Sequence, residues 1–262
     1  MDLQLDGKHV VVTGASRGIG LACVRAFLDE GARVSLVARG AEGLQQAIGT
    51  LDAAQRGRAA AFPADLQDAE AAAAALDAAE QRFGPLDVLV NSAGAARRMP
   101  AAELTPAAWR AAMDAKYFTY IHMLDPAVKR MAARGAGAVV NVIGMGGKVG
   151  NPVHLAGGSA NAALMLASAG LAAAYARSGV RVNGINPGPV LTERLAERIE
   201  ADRRLAASEG RPPPPDPGAL LPLGRVAQPE EIAAVAVFLA SPRASYVNGA
   251  IVPMDGANTP LI

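Results

Sequence analysis

The stretch HVVVTGASRGIG, His9 to Gly20, runs from a short apolar segment through a glycine turn into an apolar, alanine-bearing continuation. Three consecutive valines favour a strand buried on both faces. Gly14, Gly18 and Gly20 leave no side chain where the chain must bend sharply and let a pyrophosphate approach its backbone. A helix starting at Ile19 would turn its free N–H groups and the positive end of its dipole toward that phosphate. In a chain with 28 glycines such a triplet means little alone. The order strand, glycine turn, helix gives it weight as a nucleotide site over a plain strand-to-helix turn.

Outward from this unit the same alternation repeats. Strands are expected at His9–Thr13, Val34–Ala38, Ala59–Phe62, Val88–Asn91, Ala138–Ile143, Val180–Asn186 and Ala250–Met254. Each is continuously apolar rather than alternating, the pattern of parallel strands covered on both faces. Helices are expected at Ile19–Glu30, Glu42–Ala54, Asp68–Phe83, Pro106–Ala133, Asn161–Ser178 and Pro229–Leu239. Gly31, Gly84 and Gly179 stand just past helix ends, and Thr105-Pro106 is a cap followed by a first-turn proline. The fold class is therefore α/β: a doubly wound Rossmann-type parallel sheet of about seven strands in three layers. Residues 1–262 read as a single domain. The long stretch 192–228, with its proline-rich RPPPPDPG at 211–218, reads either as a rigid surface loop or as a lid over a substrate pocket. Trp109, Met113, Tyr117 and Ile121 form an apolar stripe that reads as core.

With 51% hydrophobic residues the chain can bury a large core. Its net charge of +1 gives no electrostatic case for nucleic acid or an anionic membrane. The lone Cys23 excludes an intrachain disulfide and a multi-cysteine metal site, and His9, His122 and His154 lack metal-ligand spacing. No basic segment followed by an apolar one opens the sequence, so no signal peptide is expected. The apolar run Ala162–Ala176 is short for a membrane span. A cytoplasmic protein without nucleic-acid or membrane partners is the expectation. At the end of the second strand, Arg39 and nearby Arg17 are fork donors suited to a ribose 2′-phosphate, which favours NADP(H) while leaving NAD(H) possible.

Taken together these motifs resemble the short-chain dehydrogenase/reductase family, over essentially the whole chain. TGASRGIG, contributing Gly14, Ser16, Arg17, Gly18, Ile19 and Gly20, matches its glycine motif. Asp65-Leu66 matches the acidic position that in the family holds the adenine. Asn91-Ser92-Ala93-Gly94 matches the motif after the fourth strand, with Asn91, Ala93 and Gly94 as cofactor positions. Arg181 to Val190 with Thr192 matches the segment around the nicotinamide, where Pro187, Gly188 and Thr192 are expected to bind. Val247-Asn248-Gly249 and Asp255-Gly256 match the C-terminal pattern. The resemblance also implies a homodimer or homotetramer built through helices around 106–133 and 161–178.

In the family, chemistry comes from an Asn, a Ser and a Tyr-x-x-x-Lys pair. The spacing puts Tyr and Lys on one helix face, where the ammonium lowers the phenol's pKa. All four positions differ here. The helical Asn aligns with Lys116, the Ser with Gly144, the Tyr with Gly157 and the Lys with Asn161. One-residue slips reach only Ile143, Met145, Ala156 or Gly158. Lys116, His154 and Asn161 are the candidates to refill the site: a lysine to orient an oxyanion, a histidine to donate a proton, an amide to bond a ribose hydroxyl. Each also has a structural reading, as a helix lysine, a loop histidine and a helix asparagine.

Three functions follow. One is an NAD(P)-dependent oxidoreductase on a small carbonyl or alcohol, with a degenerate or rearranged site. Another is a nucleotide-binding pseudoenzyme or partner subunit. The third is a non-redox lyase or isomerase using Lys116 or His154.

Overall fold

The computed structural model describes residues 1–260 except 95, 211, 213 and 214, with the side chains of 194, 198, 201, 202, 205 and 207 also outside the description. Seven strands form one parallel sheet in the order β3-β2-β1-β4-β5-β6-β7. They are β1 (His9–Thr13), β2 (Arg33–Ala38), β3 (Ala59–Pro63), β4 (Val88–Asn91), β5 (Gly137–Val142), β6 (Val180–Pro187) and β7 (Ile251–Met254). The order reverses between β1 and β4. At that switch point the crossovers leave on opposite faces and a crevice opens at the strands' C-terminal ends.

Helices cover both faces. They are α1 (Gly18–Asp29), α2 (Ala41–Gly49), α3 (Ala53–Arg56), α4 (Ala69–Phe83), α5 (Pro106–Ala112), α6 (Thr119–Arg134), α7 (Leu155–Tyr175), α8 (Glu193–Ser208) and α9 (Pro229–Ala240). One core lies under α1 and α9, around Val10, Val12, Phe27, Leu36, Val140 and Ile232. The other lies under α4 and α6, around Val11, Leu76, Leu89, Met123, Leu124 and Val139. Alternate residues of each strand thus feed opposite cores, the reason the strands read as unbroken apolar runs.

Several expected boundaries move. The helix expected at Glu42–Ala54 is two, because Asp52 caps a new start by accepting from Gln55 N at 2.8 Å. The helix expected at Pro106–Ala133 is interrupted by a π turn, Met113–Phe118, which inserts a residue and rotates the face that follows. The expected Trp109–Met113–Tyr117–Ile121 core stripe holds only in part: Trp109 is 38% exposed, Tyr117 and Ile121 pack partly buried against the core, and Lys116, Tyr120, Met123 and Leu124 are the residues that turn fully inward. α7 begins at Leu155, six residues before the expected Asn161. The stretch 192–228 holds a four-turn helix, α8, rather than only loop. Of RPPPPDPG, residues 211, 213 and 214 lie outside the described residues; Pro217–Leu220 form a 3-10 turn capped by Asp216. Thr105 caps α5 as expected, accepting from Ala108 N at 3.2 Å. By length and composition the helical stretch Leu155–Ser178 could cross a membrane, but 44% of its most apolar window is buried within the fold.

His9 is fully buried on β1. Its Nδ1 meets the Gly84 carbonyl at 2.7 Å and its Nε2 meets Ser35 Oγ at 2.9 Å, tying β1 to β2 and to the end of α4. Burial, the largest cause, lowers its pKa; the neighbouring Arg33 charge also lowers it, against raising contributions from the Gly84 carbonyl, Asp87 and Glu80. The folded chain therefore binds fewer protons here than the unfolded chain. This stability is fully present above the free-histidine value of about 6.5 and declines as pH falls below it toward the folded value. Urea unfolding across pH 5–8 is expected to show that decline, and Ser35→Ala to cost about 1–3 kcal/mol at pH 8 by stranding Nε2. An unchanged midpoint in Ser35→Ala would remove the histidine bridge from the stability argument.

Candidate active site

The glycine turn is shaped by contact. A side chain on Gly14, at φ +66°, would stand 2.8 Å from the Ser92 carbonyl, and one on Gly20 would overlap the Gly14 carbonyl. The turn is thereby pressed against the end of β4. Arg17, the residue before α1, makes no side-chain cap bond, so the side chain leaves the first-turn N–H groups of α1 for another acceptor.

These groups form one end of a cleft of about 960 Å³. Gly14, Ser16, Arg17, Gly18, Ile19 and Gly20 line it, with Arg39, Asp65, Leu66, Ala93, Gly94, Pro187, Gly188 and Thr192. Elements far apart in the chain thus bring nearly all the expected cofactor residues together. Asn91 is the exception. It is fully buried behind the cleft, donating to Asn141 Oδ1 at 3.0 Å, and Asn141 donates in turn to Ser168 Oγ at 2.9 Å. Thr13 Oγ1 donates to Asn91 Oδ1 at 3.4 Å and accepts from the N–H groups of Ser92 and Ala93 at 3.0 and 3.2 Å. Asn91 therefore braces the loop that carries Ala93 and Gly94 rather than reaching a ligand. Gly40, Gly43, Gln46, Gln67 and Glu193 also line the cleft and were missed. They fall on loops and early helix turns, Gln46 in the second turn of α2, where no motif marks them.

At the other end of the cleft stand Lys116 and Gly144. Lys116 is 7% exposed and carried by the π turn. Its Nζ donates to Tyr120 Oη at 2.8 Å and to the Val142 carbonyl at 3.2 Å. Tyr120 Oη donates to the same carbonyl, and burial raises its pKa far above the usual phenol range. Tyr120 therefore packs and braces Lys116 against the end of β5.

His154, Gly157 and Asn161 do not line the cleft. They sit behind the wall formed by Gly144 and the 3-10 turn Met145–Gly147. A side chain on Gly157 would overlap His154 Cε1 and stand 2.8 Å from both His154 Nδ1 and Ala96 Cβ. The imidazole, on the residue preceding α7, thus occupies the space of the missing side chain two helical positions on from Leu155. Asn161 Nδ2 lies 3.4 Å from the Cβ position of Gly144. The gap left by the glycines is filled by His154 and Asn161. His154 Nδ1 is enclosed with no hydrogen-bond partner among the described residues. Burial, then the charges of Arg98 and Lys116, lowers the His154 pKa, which keeps the ring neutral at pH 7.

Strand order, glycine turn and switch-point cleft define a Rossmann-type doubly wound α/β protein. The chain belongs to the short-chain dehydrogenase/reductase family: a family model described as Enoyl-(Acyl carrier protein) reductase matches residues 14–257. It is 40% identical to a D-threitol dehydrogenase from Mycolicibacterium smegmatis over 261 residues, 98% of this chain and 95% of the relative. An L-sorbose reductase from Gluconobacter frateurii, solved with NADPH and L-sorbose, superposes with TM-score 0.90 at 31% identity, covering 100% of both chains. An NADPH-bound short-chain oxidoreductase from Pseudomonas aeruginosa, described as containing an atypical catalytic center, superposes with TM-score 0.86 at 32% identity, covering 97% of this chain and 98% of that one.

Proposed function

We propose that this chain is a cytoplasmic NADP(H)-dependent oxidoreductase acting on a small polyol- or sugar-like alcohol or its carbonyl counterpart. The cleft carries the reading: it gathers the glycine turn, two arginines, Asp65 and the Pro187–Thr192 turn around a volume of about 960 Å³. The glycine cradle and the uncapped start of α1 fit a dinucleotide pyrophosphate. Arg17 and Arg39 would take a 2′-phosphate, Asp65 and Leu66 the adenine, and Gly94, Pro187, Gly188 and Thr192 the nicotinamide half. NAD(H) would bind the same cleft without the arginine contacts. A bound nicotinamide supplies or accepts the hydride. The likeness to a D-threitol dehydrogenase and to an L-sorbose reductase supports the substrate class.

Residues 1–262 act as one domain in this reading, and the segment 192–228, whose Thr192 and Glu193 line the cleft, would serve as a lid over its substrate side. The test is fluorescence titration with NADPH and NADH, followed by assays of D-threitol oxidation with NADP⁺ and L-sorbose reduction with NADPH. Tight NADPH binding with turnover of either substrate supports it. Failure to bind either nicotinamide sinks it.

A homodimer or homotetramer through α5, α6 and α7 belongs to the same proposal. Those helices expose Trp109, Phe118 of the π turn between them, and Leu166, the last 77% exposed. Leu166→Glu is expected to reduce the mass seen by light scattering after gel filtration to that of a monomer. An unchanged oligomer would place the interface elsewhere.

A further inference from the structure

The lining of the cleft is poor in groups that can exchange a proton. Among the described residues that line it, five side chains titrate: Arg17, Arg39, Asp65, Lys116 and Glu193. Arginine keeps its proton at any working pH. Arg39 follows β2 and Asp65 lies just past β3, whereas Lys116 is anchored at the end of β5. In the order β3-β2-β1-β4-β5 that sets at least three strand spacings, about 14 Å, between Lys116 and the Arg39–Asp65 end. Glu193 approaches the glycine turn, its Oε2 3.7 Å from the point where a Cβ on Gly18 would stand. One proton-exchanging group is left at the end of the cleft that Val142, Ile143 and Gly144 line. We infer that Lys116 is the catalytic acid–base of this site: it gives a proton to the substrate's carbonyl oxygen in reduction and takes one from the hydroxyl in oxidation.

The ammonium is held where such a transfer can occur. Nζ donates to Tyr120 Oη at 2.8 Å and to the Val142 carbonyl at 3.2 Å, and Tyr120 Oη donates to the same carbonyl. Val142 is the last residue of β5 and lines the cleft, so the head group sits at the strand end, beside the cleft floor. In reduction the carbonyl carbon gains a hydride, the chemistry a bound nicotinamide supplies. The displaced C=O π pair forms the O–H bond with the proton from Nζ, and the N–H pair stays on nitrogen as a lone pair. The neutral amine still has two N–H groups, as many as Tyr120 Oη and the Val142 carbonyl accept, so giving up the proton breaks neither bond. Solvent entering the cleft restores the ammonium. In oxidation the lone pair of the neutral amine takes the hydroxyl proton as hydride leaves the carbon.

This inference rests on the oxidoreductase reading for its substrate, but its first readout needs no turnover. Cyanate carbamylates amines, and peptide mass spectrometry of the labelled intact protein locates the product. Lys116 is expected to react and to lose that labelling when NADPH is bound, while the exposed Lys8 and Lys129 label equally in both states. A Lys116 inert to cyanate, or labelled equally with and without bound NADPH, overturns the inference. In assays of D-threitol oxidation and L-sorbose reduction, Lys116→Met is expected to lose about 10²–10⁴ in kcat, the usual contribution of a general acid. Lys116→Arg keeps the charge but cannot release a proton, and is expected to do no better than the methionine variant. Lys116→Ala is expected to regain at least about tenfold with propylamine, which refills the missing atoms, and nothing with tetramethylammonium, which brings charge without a proton. NADPH affinity by fluorescence should be unchanged in the three variants, which separates a lost proton source from a damaged fold. Near wild-type activity in Lys116→Met or Lys116→Arg, or rescue by tetramethylammonium, overturns the inference. A wild type that binds no nicotinamide falls on the oxidoreductase reading alone.

Discussion

Gly157→Ala is expected to destabilise the wild-type chain and to stabilise a His154→Ala variant. Alanine is the better helix former by about 1 kcal/mol, so on propensity alone the change should help in both backgrounds. In the wild type the new methyl overlaps His154 Cε1 and must drive the imidazole from its site. Overpacking of this kind costs about 1–3 kcal/mol. With His154 cut back to alanine the main obstacle is gone, and only the Ala96 methyl at 2.8 Å has to give. Urea unfolding of the four members of the cycle should therefore show a coupling of about 1–3 kcal/mol between positions 154 and 157. Additivity within about 0.5 kcal/mol would mean that the ring does not occupy the Gly157 space in solution. The same cycle warns against rebuilding the family's usual residues one at a time, since tyrosine at 157 and histidine at 154 compete for one volume.

For the cofactor, Arg39→Asp should invert preference. Arg39 follows β2 and lines the cleft beside Ser16 and Gly43. A guanidinium on a phosphate forms charge-assisted hydrogen bonds worth about 1.5–3 kcal/mol each. Replacing it with a carboxylate removes them and sets like charges face to face. NADPH affinity is expected to fall by about 10²-fold or more, with NADH affinity held within about threefold or improved, because an aspartate there can accept from a ribose 2′-hydroxyl. Titration of both nucleotides by fluorescence at 50 and 300 mM salt reads this directly, and the wild-type NADPH constant should weaken with salt. A parallel loss of both nucleotides would point to damage to the turn rather than to lost phosphate recognition.

The strands were legible because each is a short unbroken run of Val, Leu, Ile and Ala closed by glycine or a polar residue, and parallel pairing buries both faces. The cofactor end was legible for a related reason. Phosphate recognition by backbone needs glycine at fixed places, and glycine is visible in a sequence. α8 was not, because its charged sequence ERLAERIEADRRLAAS, residues 193–208, carries no clean apolar stripe. The start of α7 was hidden by its own glycines. A side chain on Gly158 would stand 2.6 Å from the Gly146 carbonyl, and one on Gly147 would stand 2.6 Å from Ala162 N. The helix and the turn touch backbone to backbone, so tertiary contact overrides poor helix propensity. The filling of the Gly157 gap did have a signal. The side chain just before a helix lies over its third residue, and His154 stands three before Gly157.

The π turn at Met113–Phe118 works as a set screw between two rigid rods. α5 and α6 look continuous in sequence, yet one inserted residue fixes their relative rotation, about 100° for each residue of an α-helix. Deleting a single residue there would let the two merge, and everything ahead of the deletion would turn with it. Lys116 would leave the cleft wall and Met99 would lose its seating against Val153, whose carbonyl now accepts from Met99 N at 3.0 Å.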